Sequence, residues 1–287
     1  MATFGIHFDG PITTEHKVSI RVLARTYEHM QRAIDRAYLI ENYGQVWKHA
    51  RLTSEQYRET EFIADYPREG GIILDAFKEG ANSIVDRIAA AIHPVFVEAT
   101  ERAVIQSNSI SQQVSARKEY VQGVGARTQT FQEVIDNPPP NWAPAYSNRS
   151  VIKEVDQLLM QITPENLAGS TAEITLHGDI AHLPYVFNAQ TARRFHSIAS
   201  KKELGAPLLL NARIRSLDRG NKTTKPSAKI ENLHSNRDVV LHLRTIEDFN
   251  ELHPFHNGEP MQMYVCPIVE ALGFDVNGGD LYYLAVA

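Results

Sequence analysis

One cysteine, Cys266, stands in a chain of 287 residues. No intramolecular disulfide and no thiolate metal cluster can form from a single thiol. The apolar run around Cys266 marks it as an inert core thiol rather than a reactive one. No stretch reaches the roughly 20 consecutive apolar residues of a membrane span, and the opening MATFGIHFDG carries neither a basic segment nor a long apolar one. A soluble, cytoplasmic protein without a membrane partner is expected. Phosphate-cradling glycine motifs are missing. Neither Gly-x4-Gly-Lys-Ser/Thr nor Gly-x-Gly-x-x-Gly occurs, and Gly123-Val124-Gly125 stands in a helical pattern rather than after a strand. Gly-x-Ser-x-Gly and His-Glu-x-x-His are absent as well. No cofactor is expected. A formal net charge of −5 argues against indiscriminate attraction of the whole molecule to nucleic acid or lipid.

What is present points to an α+β protein of two or three compact units. The clearest is the last stretch, residues 206–287. Within Ala206–Ser216, Leu210, Ala212 and Ile214 alternate with Asn211, Arg213 and Arg215, the period of a half-buried strand. A turn-rich loop with Gly220-Asn221 follows, then strand patterns over Ala228–Leu233 and Asn236–Arg244. Thr245 with Asp248 three residues on opens a short helix with the apolar stripe Ile246, Phe249 and Leu252. Met261–Cys266 and Asp280–Val286 read as two more strands. Three strands, a short helix and two strands suit a small β-barrel, OB-like or SH3-like.

Ahead of it, Thr3–Phe8 alternates Phe4, Ile6 and Phe8 against Thr3, Gly5 and His7, a strand with one buried face. Val18–Tyr43 reads as a long helix on the stripe Leu23, Tyr27, Met30, Ile34 and Ala37, stopped by Gly44. Two strand-like runs, Glu61–Tyr66 and Gly71–Phe77, flank the turn Pro67–Gly70 and read as a hairpin beside the first strand. Ala81–Ile92 is an apolar helix that Pro94 kinks or ends. Ile110, Val114, Arg117, Val121, Val124, Thr128, Phe131 and Ile135 keep a 4-3 spacing. That seam offers a homo-oligomer contact, although Arg117 and Thr128 favour packing within the chain. The proline run 138–140 marks a stiff connector. The expected segments are therefore residues 1–137, a β-α-β-β unit with long helices; 138–149, the connector; 150–205, a linking region with a helix at Ser150–Ile162, a short strand at Ala172–Leu176 and a helix at Asn188–Ile198; and 206–287, the barrel.

The strand ending Phe8-Asp9-Gly10, followed by Glu15-His16 and a long helix, resembles one group of uncharacterised bacterial and prophage proteins. So does the turn Pro67-Arg68-Glu69-Gly70 followed by Gly71 and an apolar strand. Members of that group sometimes lie in mobile-element or defence neighbourhoods. The resemblance covers about the first third of the chain. It implies a bacterial or phage origin and no reaction, and it carries over no catalytic residue.

Three constellations carry chemistry. Residues 193–229 concentrate basic side chains with only Glu203 and Asp218 as acids. Arg213, Arg215, Arg219, Lys222, Lys225 and Lys229 would give the barrel a cationic face for nucleic acid or an acidic protein, with Tyr282 or Tyr283 as a stacking ring. Arg87 and His93 resemble the Arg-x4–6-His spacing of HEPN ribonucleases, in which such a pair meets across a dimer and cleaves RNA without metal. That family usually has a polar residue after the arginine, and this chain has Ile88. His177, Asp179 and His182 place two imidazoles and a carboxylate within a few residues, a donor set for a divalent metal; His253 and His256 form a weaker pair. The favoured function is non-enzymatic binding or scaffolding through the basic barrel face. A metal-independent ribonuclease and a structural subunit of a complex are the alternatives.

Overall fold

The computed structural model describes residues 1–15, 17–65, 72–101, 109–123, 127–256 and 258–287. His16, the hairpin turn Pro67–Gly70, Gly71 and Val124 lie outside them. In chain order the elements begin with β1 (Ala2–Asp9), α1 (Ile20–Tyr43), α2 (Ser54–Thr60), β2 (Ile63–Ala64), β3 (Ile72–Lys78) and α3 (Asn82–Glu101). Next come α4 (Ile110–Gln122), β4 (Gln129–Thr130), α5 (Phe131–Asp136), α6 (Trp142–Leu159), β5 (Thr171–His177), β6 (Tyr185–Asn188) and α7 (Ala189–Ala199). The last are β7 (Lys202–Leu204), β8 (Leu208–Asp218), β9 (Ser227–Asn232), β10 (Arg237–His242), α8 (Ile246–Leu252), β11 (Pro260–Glu270) and β12 (Leu281–Val286). The protein is α+β, as the patterning implies.

The chain divides into two compact units, each made of two segments: Met1–Ile105 with Ser147–Lys201, and Gln106–Tyr146 with Lys202–Ala287. This differs from the four consecutive segments expected from the sequence. The proline run ends α5, but the chain does not stay extended through Ser147, because α6 starts at Trp142. Pro144 fits there: in the first turn of a helix its missing N–H would have had no helical acceptor.

The first unit is built on an antiparallel sheet in the order β2-β3-β1-β5-β6. Strand β1 lies in the middle, with Ile6 opposite Leu74 on one side and Ile174 on the other. Phe4, Ile6 and Phe8 are fully buried together with Leu74, Ile174 and Leu176 and the apolar stripes of α1, α3, α6 and α7. Residues 150–205 are thus no linker: through Lys201 they supply β5, β6, much of α6 and all of α7, and Lys202–Leu204 forms β7 of the second unit. Helix α1 opens where the Ser19 hydroxyl accepts from the Val22 N–H and closes at Gly44, whose φ of 72° is the left-handed stop. Helix α3 continues through Pro94 to Glu101. Pro94 removes the N–H that would bond the Ala90 carbonyl, but both residues are exposed, where water serves the carbonyl instead. Edge-to-face contacts of Phe187 with Phe96 (5.1 Å) and Phe195 (5.7 Å) tie β6 to the helices. The fully buried Phe187 and Phe195 each stabilise the fold by about 1.5–3 kcal/mol.

The second unit is a closed five-stranded barrel. Around it the strands run β8-β9-β10-β12-β11 and back to β8. Strands β10 and β12 are parallel and the other pairs antiparallel. With α8 between the third and fourth strands, this Greek-key closure is the OB-like alternative rather than the SH3-like one. Leu210, Ala212, Ile214, Ile230, Val239, Leu241, Met263, Val265, Leu281 and Tyr283 fill the interior, and α5 adds Phe131 and Val134. Strand β12 is buried on both faces. Leu281 and Tyr283 point inward, while Tyr282 and Leu284 join Val114 of α4, Leu204 of β7 and Cys266 outside the barrel wall. The expected helical seam therefore ends at Gln122, with Val114 and Val121 packed on the barrel's outer face. Among the described residues, no helix is long and apolar enough to cross a membrane.

Candidate nucleic-acid interface

The basic loop connects β8 to β9, the first two strands of the barrel. It is tightly built. Asp218 accepts from the Gly220 N–H (2.9 Å). The Asn221 side-chain oxygen accepts from the Thr223 N–H and hydroxyl (2.8 Å each) and from the Thr224 N–H (3.0 Å). The Asn221 N–H donates to the Thr224 carbonyl and hydroxyl (3.0 Å each). Gly220 has φ 71°, and a Cβ there would stand 2.4 Å from the Thr224 carbonyl oxygen. These bonds fix the loop before any ligand arrives, which lowers the ordering cost of binding.

Arg219, Lys222 and Lys225 project from this loop, exposed and without an ion pair among the described residues. With Arg244, at the corner between β10 and α8, they line an open hollow of about 530 Å3. Among the described residues, no carboxylate lines it. Arg244 donates to the Ser115 hydroxyl (2.6 Å), a neutral partner that leaves its charge uncompensated. Asp248 nearby is otherwise occupied: it caps the Arg244 and Thr245 N–H groups and pairs with Lys118. The Thr245–Asp248 capping box holds the corner in place, as the sequence suggests.

The strand cations behave differently. Arg213 and Arg215 both turn onto Glu231, at 3.5 and 2.7 Å, and Lys229 pairs with Asp238 at 2.9 Å. They lie on the outer wall, where two carboxylates offset three cations. The expected stacking ring is missing. Tyr282 is 5% exposed and Tyr283 0%, because α4 covers one side of β12 and the barrel core holds the other. Burial pushes both phenols above their ordinary range, so they stay neutral. Cys266 is pushed up to about 12 by the same cause, which keeps it a thiol.

Arg87 and His93 are not brought together within the chain. Six residues along a helix turn the side chain by about 240° and advance it about 9 Å. Arg87 bonds the Asn148 side chain, while His93 stands exposed, edge-on to Tyr185 at 6.1 Å. Nor is His93 at a helix end, since α3 runs eight residues further, to Glu101. In the His177, Asp179 and His182 set, the Asp179 and His182 side chains are taken up by bonds to α3. His182 turns onto Asp86 (3.0 Å), Asp86 accepts the Asp179 N–H (2.9 Å), and the Asp179 carboxylate accepts from Asn82 (2.6 Å). These bonds anchor the β5–β6 loop on α3. Among the described residues, no group of three or more His, Cys, Asp or Glu side chains is placed to hold a metal ion.

Sequence reasoning missed Arg244 as a member of the cationic end and Glu231 and Asp238 as the balance for the strand cations. Glu231 had a local signal, standing two residues from Lys229 on the outward face of one strand. Arg244 had none, because its approach to the loop depends on barrel closure. No protein-family model matches the chain, and no match is found among curated proteins or solved structures.

Proposed function

We propose that the barrel binds single-stranded nucleic acid through phosphate contacts at the cationic end formed by Arg219, Lys222, Lys225 and Arg244. The observation that carries this reading is the pairing pattern: in a chain of net charge −5, these cations share one hollow that, among the described residues, no carboxylate lines. In OB-like barrels, the loop between the first two strands and the face of the second and third border the oligonucleotide path. That placement is an analogy of fold, and the unpaired charge at this loop gives it chemical content. The outward positions of β9 and β10 carry no Phe, Tyr or Trp, so affinity rests on phosphates rather than on stacked bases. Binding is then sequence-tolerant and strongly salt-dependent. A non-enzymatic role, and the bacterial or phage origin implied by the N-terminal resemblance, belong to the same proposal.

The test is fluorescence anisotropy with labelled single-stranded RNA, single-stranded DNA and duplex DNA at two salt concentrations, followed by a denaturing gel. The reading requires salt-sensitive binding of a single strand that is recovered intact. Cleaved RNA would return the account to a ribonuclease, and absence of binding to all three probes would overturn it in favour of a protein partner.

A further inference from the structure

The first unit's sheet has a second face, opposite the one its helices cover. Across β3, β1 and β5 that face carries Asp75, Thr3, His7, Glu173, Thr175 and His177, all wholly or partly exposed. The register brings them into rows. Gly5 lies between Asp75 and Thr175, His7 lies opposite Glu173, and Thr3 lies opposite His177. A hollow of about 370 Å3 opens over these three strands.

Its floor is Gly5. A glycine inside a central strand weakens the strand, and it commonly marks a bulge or a close approach. No bulge is present: both ladders run through Gly5 without a register shift, and its φ is not in the left-handed range. The glycine serves for room. A Cβ at this position would stand 2.4 Å from Asp75 Oδ1 and 2.4 Å from Thr175 Oγ1. The missing side chain lets a carboxylate and a hydroxyl lean over the middle strand into the hollow.

We propose that this hollow binds a small organic cation, an amine or guanidinium, held by Asp75 and Glu173 with the threonine hydroxyls as further acceptors. Among the described residues, no Lys or Arg lines it, which disfavours an anion. The absence of a metal-holding group of three among the described residues disfavours a bare divalent ion. The volume falls at the small end of ligand cavities, which fits a compact molecule rather than a polymer. Asp75 and His7 already hold polar partners in the protein. A carboxylate has about four lone-pair sites, so a partner does not exhaust it. This site is independent of the barrel's cationic end.

The test is isothermal titration of the full chain with agmatine, putrescine and neutral 1,4-butanediol at fixed ionic strength. One-to-one binding of at least one of the two cations, and none of the diol, is expected. Asp75→Asn should lower cation affinity at least about tenfold, since it removes a charge-assisted hydrogen bond, and Glu173→Gln several-fold. Glu41→Gln, a remote exposed carboxylate on α1, should leave affinity unchanged. No heat with either cation at millimolar concentration would overturn the proposal. So would equal binding by Asp75→Asn, which would reduce the effect to general attraction by an acidic protein.

Discussion

The barrel carries two sets of basic side chains, and they differ in what they face. Arg213, Arg215 and Lys229 stand on strands, where neighbouring strands bring Glu231 and Asp238 within 2.7–3.5 Å. Arg219, Lys222 and Lys225 stand on a loop held by its own Asn221 and Thr224 bonds, and among the described residues no carboxylate lines the hollow beside them. In sequence the two sets form one basic run. In the fold the second set retains all three of its charges, whereas two carboxylates offset two of the three in the first. The density of lysine and arginine along a chain therefore locates a region, and the carboxylates brought in by strand pairing select the surface within it.

The comparison breaks most directly at the loop. Reversing all three loop charges, Arg219→Glu with Lys222→Glu and Lys225→Glu, should weaken single-strand binding about a hundredfold or more at low salt, measured by anisotropy. The next effect runs the other way. Glu231→Gln releases Arg213 and Arg215 from their shared partner and should raise affinity about three- to tenfold. Unchanged affinity would mean that those strands lie off the nucleic-acid path. Removing a strand cation that is already paired, as in Arg215→Ala, should change affinity by less than about twofold, close to the modest worth of an exposed ion pair.

A pH series sharpens the contrast further. His234, in the β9–β10 turn, accepts the Asn211 N–H on Nε2 (3.3 Å), stacks against Phe131, and contacts Gln132 through Nδ1 (3.2 Å). Burial lowers its pKa below the ordinary 6.5. The unfolded chain then binds the proton more readily than the folded one. This residue's contribution to stability is complete above about pH 6.5 and is lost as pH falls through the lower folded value. Urea unfolding at pH 7.5 and 5.5 should show a larger drop for the natural protein than for His234→Gln. His234 does not line the cationic hollow, so over the same interval nucleic-acid affinity of the folded protein should barely move. The smallest expected signal is at Cys266: an alkylating reagent should leave the native thiol unlabelled at neutral pH and modify it only after denaturation.

Much of the architecture was legible because its signals are local. The alternation of β1, the stripe and caps of α1, the Thr245–Asp248 cap of α8 and the individual strands of the barrel all lie within short windows, whereas the closing order of those strands does not. The misreadings share a long-range cause. Strand β5 looked like an isolated piece of a linker because its partner is β1, with Thr3 opposite His177. Tyr282 looked free because alternation sends one of two adjacent tyrosines outward, and only the docking of α4 shows that the outward side is covered. The strand arginines looked available because Glu231 is drawn to them by a cross-strand pairing rather than by sequence order. In the candidate interface, the loop could be named from its residues, but its separation from the balanced strand charges needed the fold.

The central claim is that unpaired loop charge at one end of the barrel meets the phosphates of a single strand. The most direct measurement is the slope of log affinity against log salt for a labelled single-stranded RNA, taken for the natural protein and the triple loop reversal. Three loop phosphate contacts contribute a slope of about −2, which should vanish in the reversal, leaving whatever Arg244 supplies. Equal slopes in the two proteins, or binding insensitive to salt, would contradict the account and move the interface elsewhere.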